Sequence, residues 1–241
     1  MAHGQVDVGG ISSFAYGENY DKYHVFPNLS VSSNTTVGSI FLFSKVPIEE
    51  LKEKKIALTS SSATSVNLLK IILQQFYDAQ NQYTTMKPNL TAMMDLHDGC
   101  LLIGDDAIVA SWKEGNKYFR YDLGELWYHH TGLSMTYAVF AIRNEVLSQQ
   151  NLIEILYNEF ISSKAKSNDS QFYPMIDDIR NLFGGEKRFW DEYFKGLCYD
   201  LGEKELTGLQ YYYNLAYKHG LLEKQVESIS VWSALDHCHS M

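Results

Sequence analysis

Cysteine is scarce in this 241-residue chain: Cys100, Cys198 and Cys238 are an odd number, widely spaced, with no Cys-x-x-Cys pair. That indicates neither a disulfide framework nor a zinc site, and a reducing compartment fits best. Basic residues are also few, 20 Lys and Arg against 29 Asp and Glu, for a formal net charge of -9. A nucleic-acid partner would need a basic face that no Lys/Arg cluster here supplies. No apolar run reaches the length of a membrane span, and Met1 to Asp7 has neither a basic nor an apolar stretch of the signal-peptide kind. The expectation is a cytoplasmic protein with no membrane partner. Internal repeats, low-complexity tracts and Pro/Gly linkers are missing as well, so nothing marks independent domains.

What is present is a large apolar fraction, 45% hydrophobic against 20% charged, enough for one large core or two modest ones. Short apolar runs at Val6 to Ile11, Ser39 to Ser44, Ile56 to Thr59, Cys100 to Ile103 and Met135 to Ile142 read as strands. Between them Pro47 to Lys54, Ser62 to Tyr77 and Asp122 to Thr131 read as helices or helical turns, the last closed by Gly132. The pattern is that of an α/β chain. After Arg143 the strand signals stop and four helices are expected, over Glu145 to Ser163, Met175 to Phe183, Lys187 to Asp200 and Glu203 to His219. Lys164 to Asp169 reads as a surface loop. In the last helix Leu206, Leu209, Tyr213, Ala216 and Tyr217 share the expected buried face, so the run Tyr211-Tyr212-Tyr213 is read as packing rather than as a binding platform. An α/β middle flanked by segments that pack together predicts two lobes with a ligand cleft.

Ser62-Ala63-Thr64-Ser65 follows a strand and precedes an apolar stripe at Val66, Leu69, Ile72 or Leu73, and Phe76, the spacing of one helical face. Unpaired amides, hydroxyls and the helix dipole there suit a carboxylate or phosphate. The same residues also serve as an ordinary N-cap. Gly4 occupies the position of a helix C-cap with no helix before it, which predicts a missing strand-helix unit and an internal origin for Met1.

Gly4 to Val8 with Ile11-Ser12-Ser13, Val37-Gly38-Ser39 through Lys45, Ser62-x-Thr64-Ser65, Ile103-Gly104-Asp105-Asp106-Ala107, Asp122-Leu123-Gly124-x-x-Trp127 with Thr131-Gly132-Leu133, and Tyr199-Asp200-Leu201-Gly202-x-x-Glu205-x-x-Gly208-Leu209 recur in one order. Together they resemble the chorismate dehydratase family of the futalosine route to menaquinone. The resemblance implies a two-lobed type II periplasmic-binding-protein-like fold, here without its first strand-helix unit, with residues 1–51 and 135–241 in one lobe and 52–134 in the other. It implies loss of water from chorismate, a small dicarboxylate, to give 3-(1-carboxyvinyloxy)benzoate, with no cofactor and no metal, by a monomer or homodimer.

On that resemblance Ser62, Thr64 and Ser65 would grip one carboxylate, and Ser12 and Ser13 another, although the latter pair also suits a cap for a short helix at Phe14 to Glu18. Asp105 and Asp106, on a loop after a strand and a glycine, are the candidates for proton handling. Asp122 is expected to cap the helix that carries Trp127, Trp127 to pack, and Val37-Gly38-Ser39 to form a hinge strand. The Ser-Tyr-x-Asn stretch with which the family opens has no match here, and low activity is expected for the chain as it stands.

Two rivals remain. The sister enzyme 1,4-dihydroxy-6-naphthoate synthase has a similar Asp-Leu-Gly-x-x-Trp segment, but the stretch Met135 to Ala141 is like the dehydratase; adjacent His129 and His130 keep acid/base work open. A non-catalytic binding protein for small carboxylates would use the same cleft. The triplet His237-Cys238-His239 lacks further ligands at fixed spacing and is not read as a metal site.

Overall fold

The computed structural model describes residues 1, 3–114 and 116–234. Along the chain run β1 Val8–Ser12, α1 Ser13–Glu18, β2 Tyr23–Ser33, β3 Ile40–Ser44, β4 Lys55–Thr59, α2 Ala63–Phe76, β5 Gln82–Met86, α3 Leu90–Leu96, β6 Gly99–Ile103, α4 Gly104–Glu114, β7 Phe119–Asp122, α5 Leu123–Thr131, β8 Met135–Arg143, α6 Gln150–Asp169, α7 Tyr173–Phe183, α8 Lys187–Gly196 and α9 Glu203–Lys218. After the successive strands β2, β3 and β4, helices and strands alternate up to β8 and only helices follow, the α/β order expected. The chain divides into two units, Met1–Ser32 with Thr136–Met241, and Ser33–Met135.

The first unit is built on a three-stranded sheet in the order β1-β8-β2. β1 runs antiparallel to β8, from Val8 opposite Ile142 to Ser12 opposite Ala138. β2 is the longest strand among the described residues and was not among the expected strands; it contains Pro27, and Asn28 takes a left-handed φ of 58°. The strand survives because other segments satisfy its backbone. Val25 N–H donates to Ser230 and Trp232 N–H to Val25, while Ser30 and Ser32 donate to Tyr199 and Cys198. Phe26, Leu29, Ile142, Ile153 and Trp232 form a core against which Tyr157 and Phe160 of α6 pack. Lys164 to Asp169 belongs to the last turns of α6 rather than to a loop, since polar residues on the outer face of a long helix look like a loop when read alone.

On α9 the buried face is centred on Leu209, Tyr212, Tyr213 and Ala216, whereas Tyr217 is 44% exposed, a rotation from the expected stripe. Gly17 of α1 makes room for this helix: a Cβ there would lie 2.8 Å from the Tyr213 ring.

The second unit carries a five-stranded sheet in the order β5-β4-β6-β3-β7. β4 is parallel to β5 and β6, and β3 is antiparallel to both β6 and β7. This pairing places the first boundary at Ser32/Ser33 instead of after Leu51, because β3 is hydrogen-bonded into the second sheet. Phe41, Phe43, Ala57, Cys100 and Leu102 bury one set of side chains with Met93 and Met94 of α3 and Ala107 of α4. Pro47 to Lys54 shrinks to one 3-10 turn, Ile48–Glu50. Gly132 closes α5 at φ 68°, the left-handed C-cap read from the sequence.

Candidate functional site

The α2 N-terminus is built as a small hydroxyl relay. Ser62 is the N-cap, in extended conformation, and its Oγ accepts the Ser65 N–H at 3.2 Å. The same Ser62 hydroxyl donates to Ser65 Oγ at 3.1 Å, so within this pair the proton left over is the one on Ser65. Thr64 and Ser65 are buried, 1% and 2% exposed, and Ser62 is half-buried. Beside them Thr59 Oγ1 and Ser61 Oγ lie 2.7 Å apart at the end of β4. The cap therefore exists as the sequence predicts, and the positive end of a 14-residue helix stands behind it.

In the other unit Ser12 ends β1 and caps α1, its Oγ accepting the Ala15 N–H at 3.2 Å. A hydroxyl that accepts one bond still has a proton to give, so Ser12 remains a donor. Ser13 is fully buried and its hydroxyl donates to the Thr136 carbonyl of β8 at 2.8 Å. Its own carbonyl accepts the Tyr213 hydroxyl at 2.7 Å. Ser13 is thus an anchor that fixes where Ser12 stands, and of the two only Ser12 has its proton uncommitted. Sequence reasoning missed Thr136 and Tyr213; the tyrosine run on α9 was the available signal, read only as packing.

Next to Ser13, Thr136 Oγ1 accepts from Ser32 Oγ at 2.9 Å, and Ser32 Oγ lies 2.7 Å from Ser30 Oγ. In the Ser33–Met135 unit the Ser134 hydroxyl donates to Asn34 Oδ1 at 2.9 Å. Asp122 does more than cap α5: besides the Glu125 N–H at 3.0 Å, its carboxylate accepts the Val37 and Gly38 N–H groups at 3.0 and 2.7 Å. The Val37-Gly38 segment, expected to act as a hinge, is therefore tied to the start of α5. Trp127 is fully buried and donates from its indole nitrogen to Ser134, a packing residue as expected.

Asp105 and Asp106 are both exposed, and they lie in the first turn of α4 rather than on a loop. Desolvation and, second, the charge of Asp106 push the Asp105 carboxyl above its ordinary value. Among the described residues no group of three His, Cys, Asp or Glu could hold a metal, and no helix is long and apolar enough to cross a membrane. His237, Cys238 and His239 lie outside the described residues. The structure thus gathers Ser62, Thr64 and Ser65 in one turn and Ser12 and Ser13 in another, two clusters of hydroxyl and amide groups, with Asp105 and Asp106 on a third element.

Comparison with known proteins gives three findings. The family model described as menaquinone biosynthesis matches residues 1–218. A chorismate dehydratase of Thermus thermophilus is 32% identical over 171 residues, which span 65% of this chain and 61% of that protein. Among solved structures, AF1704 of Archaeoglobus fulgidus superposes with a TM-score of 0.67 at 20% identity, over 92% of this chain and 82% of that one. The periplasmic aliphatic sulphonate binding protein SsuA of Escherichia coli gives 0.66 at 16% identity, over 96% and 77%. At these identities the structural likeness establishes the fold, that of periplasmic binding proteins.

Proposed function

Because this chain belongs to the menaquinone biosynthesis family, as the match over residues 1–218 shows, we propose that it is a chorismate dehydratase. The chain spans 61% of the length of the curated dehydratase it matches. The single observation that carries the reading is the 32% identity to that relative; the Ser62-Thr64-Ser65 turn supports it as a donor cluster backed by a helix dipole and suited to a carboxylate of chorismate. Under this proposal the Ser65 hydroxyl binds a carboxylate of chorismate, and in the other unit Ser13, Thr136 and Tyr213 hold Ser12, a second proposed substrate donor, in register.

The reaction removes a ring C–H beside the enolpyruvyl ether and the neighbouring hydroxyl. The C–H electron pair becomes a ring double bond, the C–O bond breaks, and the hydroxyl leaves with a proton as water. Aromatisation drives the step, so the protein's share is to orient two carboxylates and stabilise charge that builds on the ring substituent. Both clusters offer donors and no base. A carboxylate of the substrate itself is therefore the proposed proton acceptor, and Asp105 and Asp106 serve the dipole of α4. The enzyme is then a carbon-oxygen lyase of the futalosine route, working in the cytoplasm.

Mixing the purified chain with chorismate and following ultraviolet absorbance and mass tests this. The expected product is aromatic and lighter by one water. The fold shared with sulphonate-binding SsuA favours a second reading, a binding protein. In that case chorismate would raise the melting temperature and emerge unchanged.

A further inference from the structure

The unit formed by Met1–Ser32 and Thr136–Met241 contains a cavity of about 390 Å³ whose walls come from β2, β8, α6, α7, α8 and the segment leading to α9, and which neither Ser12 nor Ser13 touches. Its size lies within the roughly 300–1,000 Å³ of small-molecule pockets. Val31, Phe140 and Phe160 form part of the wall; Phe172, Phe194 and Tyr199 supply a cluster of rings. Phe172 stacks on Phe194 with centroids 5.7 Å apart at 24° and lies 5.6 Å from Tyr199 at 37°.

That ring is placed at a conformational cost. Gln171 and Phe172 both take left-handed φ values, 52° and 58°, which residues with a Cβ disfavour, yet Phe172 is only 8% exposed. Lys164 also lines the cavity, with its side chain 19% exposed, and its ammonium is held in place by two partners. It donates to the Asn28 carbonyl at 2.6 Å and pairs with Asp200. An ammonium has three N–H donors, so one is left for a ligand, while Asp200 cancels the positive charge that would attract an anion.

We propose that this cavity is a second small-molecule site, which takes an uncharged two- or three-ring aromatic molecule carrying a hydrogen-bond acceptor that faces Lys164. Flat rings match the aromatic wall, neutrality matches the Lys164–Asp200 pair, and the volume excludes larger bodies. The site does not depend on the dehydratase reading.

The test uses 6-propionyl-2-(dimethylamino)naphthalene, a neutral two-ring probe with a carbonyl acceptor that brightens in apolar surroundings, titrated into the full chain. The expected result is saturable binding of one probe per chain that excess chorismate does not displace. Val31→Trp, which fills the cavity, weakens it at least tenfold while Ser65→Ala leaves it unchanged. If Val31→Trp melts early, Ser167→Trp on the half-buried flank of α6 takes its place. Absence of saturable binding, equal affinity in a folded filling variant, or displacement by chorismate would overturn the proposal. Chorismate turnover is read separately, so failure here and failure as a dehydratase are distinguishable.

Discussion

The Tyr213 hydroxyl on α9 donates to the Ser13 carbonyl at 2.7 Å across some two hundred residues of chain. Both groups are fully buried, so neither finds water if the other is removed. Tyr213→Phe keeps the ring against Tyr16, 6.1 Å away, and deletes only this bond. The expected cost is about 1–2 kcal/mol, or a melting temperature lower by about 2–8 °C. Because Ser13 sets the register of Ser12, the proposed substrate-binding role of Ser12 predicts that KM for chorismate rises as well. A variant that melts early with KM unchanged would mean that the bond is purely structural.

The relay at α2 predicts a split between two serines. Ser62→Ala removes the cap on the Ser65 N–H and costs about 1 kcal/mol of stability. Ser65→Ala leaves that cap in place but deletes the last donor in the series. Its expected effect is a KM for chorismate raised about tenfold or more, the usual size for a hydrogen bond to a charged group. Steady-state kinetics and thermal melts on the two variants separate the effects; a Ser65→Ala enzyme with normal KM would remove the carboxylate from this turn.

How far the sequence alone carries depends on whether a residue's role is local. The α2 cap, the Gly132 C-cap and the Asp122 N-cap are contacts within a few residues, and all three were legible. The amides of Val37 and Gly38 reach Asp122 across 85 and 84 positions, and no periodicity reports such a distance. β2 was hidden because, besides β8, its backbone relies on segments at 198–201 and 230–232 that are remote and irregular. Unpartnered, a Pro-Asn pair breaks a strand; with its amides received elsewhere, the strand continues. The site splits the same way: Ser12 and Ser13 follow from strand-to-helix punctuation, whereas Thr136 and Tyr213 become visible only once β8 and α9 are packed.

Asp105 and Asp106 provide a test of where the proton goes. Loss of a protein general base costs about 10²–10⁴-fold in rate. Both carboxylates are exposed on the first turn of α4, so Asp105→Asn and Asp106→Asn are expected to keep kcat within roughly threefold, far short of that range. Stopped assays with chorismate as sole substrate would show this. A hundredfold fall in kcat with KM held would transfer the base from the substrate to that aspartate.

His130 gives the chain a pH dependence of defined sign. Its ring stacks on Phe76, centroids 4.5 Å apart at 5°, and its Nε2 lies 3.2 Å from the Tyr77 hydroxyl. Desolvation first, and the neighbouring His129 second, lower its pKa below the ordinary 6.5. The unfolded chain therefore takes up a proton at a pH where the folded imidazole is still neutral. Stability is intact above about 6.5 and declines as pH falls through that value toward the folded pKa. His130→Phe preserves the stacked ring and removes the titration. Melting temperatures of the two proteins should run parallel above neutrality, and the wild type should lose ground to the variant between pH 7 and 5. Other titrating groups, His219 among them with its own lowered pKa, are common to both and cancel in the difference. Curves that stay parallel down to pH 5 would mean that the imidazole is as free to protonate in the fold as outside it, contrary to its stacking on Phe76.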